Sequence, residues 1–388
     1  MPLRRREFLQ HADVAAAVFG VPLARAEQIF AQEAPALPPR SLYDQDPERY
    51  WGLRRRQWLL AADRINLNCG SVGCTPLPVL RAMIDHLLSA EEFREAPYPW
   101  FGYEENTRLR ELRDALAAFL HVNRDELALV RNATEGLNYV ANGLDLAPGD
   151  EVLTTDEEHP SGLNPWLLKA KRYGIVVKQV TLPKPPSSAA QILDLFEQGR
   201  NPRTRVMMAS HVNTATGCVM PVKELCAWAR HHGILSLIDG AHAVGMLRVN
   251  VKEIGCDFYV SSPHKWLLAP KGCGLLYVRD EVCDRLWSTI ATGDWDNAKL
   301  RAARFQQFGT TNVALLAGLR AAIDFWQQIG PDRIAGRIRQ LHAYLKERVR
   351  ELPGAELHSA PGEEFTGGIC AVNFPGLDRA KLQQWMYQ

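Results

Sequence analysis

Short apolar runs alternate with stretches of helical periodicity along most of this chain. The runs Leu127–Val130, Glu151–Thr154, Ile175–Gln179, Val206–Ser210, Leu235–Ile238, Phe258–Ser261 and Leu275–Val278 have the length and composition of buried strands. Gly136–Leu144, Gly162–Tyr173, Ala190–Glu197 and Val222–His231 lie between them and repeat their apolar residues at helical spacing. The same spacing marks Val79–Leu88 and Asn106–Leu120 upstream, and Leu315–Ile329 and Ile334–Leu352 downstream. Ile65–Leu67 and Ile369–Phe374 read as two further strands, and Cys69–Gly73 as a glycine-punctuated loop. Apolar strands separated by helices predict an α/β fold with a mostly parallel sheet covered on both faces. Ligands in such sheets sit beyond the carboxyl ends of the strands. The residues that close each apolar run are therefore where chemistry is expected.

Composition alters this picture little. A chain of 388 residues is long enough for two or three domains. Its 45 basic and 44 acidic residues leave a formal charge of +1, with no field to gather nucleic acid or an anionic membrane. Beyond the N-terminus no apolar run is long enough to span a bilayer. The eight cysteines lack metal-ligand spacing, and most sit in apolar runs such as Gly272-Cys273-Gly274-Leu275 and Gly368-Ile369-Cys370-Ala371, which predicts buried free thiols.

The first 26 residues stand apart. Arg5-Arg6-Glu7-Phe8-Leu9 fits a twin-arginine pattern, an apolar stretch runs from Ala15 to Leu23, and Ala24-Arg25-Ala26 offers a small-x-small cleavage site. The alternatives are an export signal read by the twin-arginine translocase, placing the protein in the periplasm or beyond, or a basic, frayed helical N-terminus on a cytoplasmic protein. A Pro-rich linker follows, from Glu33 to Arg40.

Two motifs carry the chemistry. Ile238-Asp239-Gly240-Ala241-His242 puts a carboxylate at the end of one apolar run, and Ser261-Ser262-Pro263-His264-Lys265-Trp266 puts a lysine just after another. Asp-Gly alone is an ordinary turn, and a Lys beside a Trp is ordinarily surface. Together they grip one molecule at both ends. A buried Asp keeps a pyridinium nitrogen protonated and a Lys amine condenses with an aldehyde, the two functions of a pyridoxal phosphate (PLP) site. Lys265 is then also the proton shuttle at the substrate α-carbon. Asn132-Ala133-Thr134-Glu135 lies where a run meets a helix, so backbone N–H groups and the Thr134 hydroxyl can converge on a phosphate; a plain N-cap is the alternative.

Residues 238–278, with Asn66-Leu67-Asn68-Cys69-Gly70-Ser71, Asn132–Glu135, Glu158-His159, His211–Gly217 and Phe308-Gly309-Thr310-Thr311-Asn312, resemble the class V, cysteine desulfurase-like aminotransferases, and among them the isopenicillin N epimerase-like enzymes. The resemblance covers about residue 45 onward. It implies the type I fold of PLP-dependent transferases: a large domain (79–314) with a mostly parallel seven-stranded sheet, and a smaller α/β domain built from 45–78 and 315–388, after a signal (1–26) and a linker (27–44). It further implies that Ala133, Thr134, Ser262 and His264 hold the phosphate, with Thr310 supplied by the partner subunit of a homodimer. His159 is expected to stack on the ring, and Asn213 and Thr214 to contact it. His242 either approaches the phenolic oxygen or is a satisfied core histidine. Asn68 and Ser71 are expected over the substrate.

On the same resemblance the chain is expected to stop within the small domain, at Trp385-Met386-Tyr387-Gln388, before the Arg that clamps the substrate carboxylate in the family. No residue here maps onto that Arg. The expected activity is reaction at the α-carbon of an amino acid or amino-acid-like peptide. The alternatives are transamination or carbon–sulfur cleavage tailoring a secreted metabolite, and a PLP-free binding module.

Overall fold

A computed structural model of the chain describes residues 35–61, 63–92, 107–360 and 362–386. The twin-arginine motif, the cleavage site and Asn106 lie outside the described residues. The chain divides after Leu59. The first unit contains helices α1 (Arg40–Gln45) and α2 (Pro47–Arg54), the latter capped by Asp46, whose Oδ1 accepts the Arg49 N–H at 3.0 Å. Tyr43, Tyr50 and Trp51 stack edge to face there, with centroids 5.2–6.2 Å apart.

The second unit holds the remaining elements. Helices α3 (Leu77–Glu91) and α4 (Thr107–Leu120) precede β1 (Leu127–Val130), α5 (Ala133–Gly143), β2 (Glu151–Thr155), α6 (Pro160–Tyr173), β3 (Val176–Val180), α7 (Ala189–Gly199) and β4 (Thr204–Ser210). There follow α8 (Val222–His231), β5 (Leu235–Asp239), the short α9 (Val251–Ile254), β6 (Phe258–Ser261) and β7 (Gly274–Val278). After α10 (Ala314–Ile329) and α11 (Pro331–Arg350), strands β8 (Glu356–Leu357) and β9 (Val372–Asn373) pair antiparallel, and α12 (Arg379–Met386) follows.

The seven main strands form one sheet in the order β1-β7-β6-β5-β4-β2-β3. Only β7 runs against its neighbours, so the sheet is mostly parallel, as the alternation predicts. Every residue of β1, β2, β5, β6 and β7 is buried, whereas edge strand β3 is largely open to solvent. Val152, Val206, Leu237, Phe258, Val260 and Leu276 form the core with Leu137, Val140 and Trp166 from the covering helices.

The expected helices form, with shifted ends. Helix α5 starts at Ala133 because Asn132 Oδ1 accepts the Glu135 N–H at 2.9 Å. Helix α6 starts at Pro160, whose missing N–H is harmless in a first turn. Two expected strands change. Ile65–Leu67 makes no strand: Ile65 and Leu67 are 82% and 76% exposed, so no sheet face selects the extended pairing that their apolar character suggested. Ile369–Phe374 shrinks to Val372–Asn373, because its partner β8 offers only two residues. Helix α10 crosses α3 where Gly318 lies against Met83 and Pro270, too close for a Cβ.

Candidate active site

Strands β5 and β6 are parallel neighbours with Asp239 opposite Val260, so Asp239 and the turn Ser262–Lys265 leave the sheet at the same carboxyl edge. Asp239 is 5% exposed. Its Oδ1 accepts the Ala241 N–H at 2.9 Å. Its Oδ2 looks toward Gly162, where an added Cβ would lie 3.7 Å away, and accepts no hydrogen bond among the described residues. Burial raises the pKa of Asp239, opposed by the Ala241 N–H and by the charges of Lys265 and His159. Burial lowers the pKa of Lys265, opposed by the charge of Asp239. The two motifs thus form one electrostatically coupled pair.

Lys265 Nζ lies 3.0 Å from His242 Nε2, and Thr214 Oγ1 lies 3.2 Å from the same nitrogen. The Trp266 indole donates to His242 Nδ1 at 3.3 Å. Burial, helped by the charges of Lys265 and His159, pulls the His242 pKa down to about 3, so the ring is neutral. His242 is thus a buried histidine with both ring nitrogens partnered, and one of its partners is the Lys265 amine. His159 is half-buried and is the N-cap of α6, its Nδ1 accepting the Ser161 N–H at 3.1 Å. The loop from Asn68 to Gly73 packs onto this group. Asn68 and Ser71 bond each other at 2.9 and 3.1 Å, Gly70 lies against the His242 ring, and the Gly73 N–H donates to the His264 carbonyl at 2.9 Å. A side chain at Gly73 would overlap the Lys265 carbonyl.

At the start of α5 the Ala133 N–H donates to Ser262 Oγ at 2.9 Å, tying that helix N-terminus to the lysine turn. The Thr134 N–H and hydroxyl take no partner among the described residues. His264 Nδ1 lies 3.3 Å from the Cys273 carbonyl, and burial lowers its pKa. Helix α5 is pressed onto the sheet by small residues: an added Cβ at Gly136 would come 2.8 Å from Val260, and one at Gly274 would overlap Asn132. A phosphate would complete the open donors of α5, and a protonated ring nitrogen would complete the open oxygen of Asp239. The donor set fits PLP.

Asn213, next to Thr214, is fully buried; its Nδ2 donates to Glu157 at 3.1 Å, and its Oδ1 takes no partner among the described residues. Thr310 is exposed, two residues past Phe308, whose ring carries the Arg131 guanidinium at 5.2 Å; it bonds none of the other candidates among the described residues.

Residue-type reasoning passed over the layer beneath. Glu158 is 9% exposed and accepts hydrogen bonds from Thr155 Oγ1 at 2.8 Å and Ser210 Oγ at 2.6 Å, at the ends of β2 and β4. Burial pushes its pKa up to about 7, opposed by those hydrogen bonds and assisted by the charge of Asp239. His211 Nδ1 meets the Tyr259 hydroxyl at 2.9 Å under the β5 end, with its pKa pulled down to about 4 by burial. The signal available for Glu158 was its position: a carboxylate three residues past the end of β2 and directly before a candidate histidine.

A family model described as Aminotransferase class-V matches residues 74–388. Isopenicillin N epimerase from Streptomyces clavuligerus is 32% identical over 354 residues, covering 87% of this chain and 88% of that protein. The apo cysteine desulfurase from Thermococcus onnurineus NA1 superposes with a TM-score of 0.75 at 26% identity, over 84% of this chain and 83% of that one. A lysine-to-alanine variant of C-DES with glycine covalently linked to the PLP cofactor superposes with a TM-score of 0.73 at 26% identity, over 86% of this chain and 90% of the other.

Proposed function

Because the chain belongs to the class-V aminotransferase family, we propose that it is a PLP-dependent enzyme acting at the α-carbon of an amino acid or amino-acid-like peptide, as an isopenicillin N epimerase-like protein. The observation that carries this is Asp239: a buried carboxylate with one open oxygen, whose charge acts on a half-buried lysine on the adjacent loop. Such a carboxylate has no use in a bare binding module, where its burial is pure cost.

Bound PLP supplies an aldehyde that captures amines and a pyridine ring that draws electrons from the α-carbon. Thr134, Ser262 and His264 would hold the phosphate, with Ala133 acting through Ser262, whose Oγ accepts its N–H, and Asp239 would hold the ring nitrogen. Lys265 would hold the aldehyde end, and its free Nζ would be the group that takes a proton from the substrate α-carbon. Burial favours the unprotonated amine that this task needs. Asn68 and Ser71 sit on the loop whose Gly70 lies against His242, and there they would face the incoming substrate.

The test is PLP titration followed by exposure to amino acids in deuterated water. We expect a visible band that borohydride fixes covalently to the protein in wild type and not in Lys265→Ala, and deuterium at the α-carbon with inversion of configuration. A colourless protein that ignores PLP would overturn the reading. Pyridoxamine phosphate or released sulfide would instead assign transamination or carbon–sulfur cleavage, which the same lysine and aspartate serve.

We further propose a homodimer in which the exposed Thr310 enters the partner's phosphate site, and export to the periplasm by the twin-arginine route. Sedimentation with a Thr310→Ala variant tests the first, and retention of an Arg5→Lys, Arg6→Lys precursor in the cytoplasm tests the second.

A further inference from the structure

We propose that Trp266 is a positioning residue that fixes His242 as the tautomer protonated on Nε2, so that a neutral imidazole presents an N–H to the Lys265 amine. An indole nitrogen only donates, so His242 Nδ1, 3.3 Å from Trp266 Nε1, must accept. The proton of the neutral ring is then on Nε2, which points at Lys265 Nζ (3.0 Å) and Thr214 Oγ1 (3.2 Å). An ammonium cannot accept a hydrogen bond, whereas a free amine can. The Nε2–H therefore supports Lys265 in its unprotonated form and turns to the Thr214 hydroxyl when Lys265 carries a proton. In this arrangement His242 is a directed donor and not a base.

The indole is itself held in place. Gly368 lies against its outer edge, where an added Cβ would come 2.7 Å from Cη2 and 2.9 Å from Cζ3. The backbone of Trp266 is equally hemmed in by Gly245, whose Cβ would lie 2.5 Å from its carbonyl carbon. Trp266 thus connects the segment around Gly368 to the ring that faces the lysine.

This inference takes Lys265 as the reacting amine, but its first test reads the imidazole alone and fails or succeeds separately. In the full chain labelled with 15N-histidine, before and after saturation with PLP, long-range proton–nitrogen correlations of His242, assigned through a His242→Gln variant, report the protonated nitrogen. We expect the Nε2–H pattern in wild type, and a mixture of both tautomers in Trp266→Phe, which keeps a ring but no donor. Gly368→Ala, which pushes the indole away, is expected to give the same mixture. Turnover of Trp266→Phe should fall about fivefold in kcat with KM held, the size of one neutral hydrogen bond. His242→Gln, with a neutral amide donor, should retain far more turnover than His242→Leu. An Nδ1–H or doubly protonated ring in wild type at neutral pH, or an unchanged tautomer in both Trp266→Phe and Gly368→Ala, would overturn the proposal.

Discussion

Replacing Glu158 with Gln should make the protein more stable than wild type in alkaline solution and leave the two equal in acid. The Glu158 carboxyl is buried against Ser210 and Thr155, and its pKa rises from the ordinary 4.5 to about 7. Below pH 4.5 the group is neutral in both folded and unfolded chains and contributes no difference. Between 4.5 and 7 the unfolded chain ionises while the native chain holds its proton, so stability drains away as pH rises. Above 7 both forms are ionised and the loss is complete. At about 1.4 kcal/mol per pH unit, the interval corresponds to about 3 kcal/mol. Gln fits the same contacts: its oxygen accepts from Thr155 Oγ1 and the Ser210 N–H, and its amide donates to Ser210 Oγ. Urea unfolding of both proteins from pH 4 to 8.5 gives the difference directly, and distant titrating groups cancel in it. Parallel pH profiles, or a wild type that gains on the variant as pH rises, would refute a buried carboxyl with a raised pKa.

Other outcomes follow from the same geometry. Asp239→Asn should lower kcat by about 10²–10³-fold, the effect of losing one preorganised charge, while PLP still binds; kcat within tenfold of wild type would contradict its role at the ring. Ser262→Ala removes the hydroxyl that joins Ala133 to the lysine turn and should weaken PLP binding about tenfold, read by absorbance titration. Gly73→Ala forces a methyl into the Lys265 carbonyl and should depress kcat/KM more than tenfold with far-ultraviolet circular dichroism intact. Gly336→Ala, in α11 with nothing within 4 Å of the new methyl, should instead stabilise by about 0.5–1 kcal/mol and leave turnover alone.

The parallel core was legible because burial on both faces writes itself as unbroken apolar runs, and β1, β2, β4, β5, β6 and β7 carry that mark. The common placement of Asp239, Ser262 and Lys265 at one edge of the sheet was legible because each closes or follows such a run. Periodicity says nothing about solvent, so Ile65–Leu67 looked like a strand although no neighbour pairs with it. The donor role of the Trp266 indole was not legible, because a hydrogen bond from an indole to a histidine twenty-four positions earlier has no sequence signature. Glu158 escaped for the same reason: its partners Thr155 and Ser210 sit on strands that only the folded sheet makes adjacent.

The hydrogen bond from the Gly73 N–H to the His264 carbonyl joins a stretch that leaves the ribosome early to one that emerges far later. A nascent chain that has extended only through β5 possesses the carboxylate but neither the lysine nor the loop's docking point. The two halves of this corner therefore close only after residue 265 has been made.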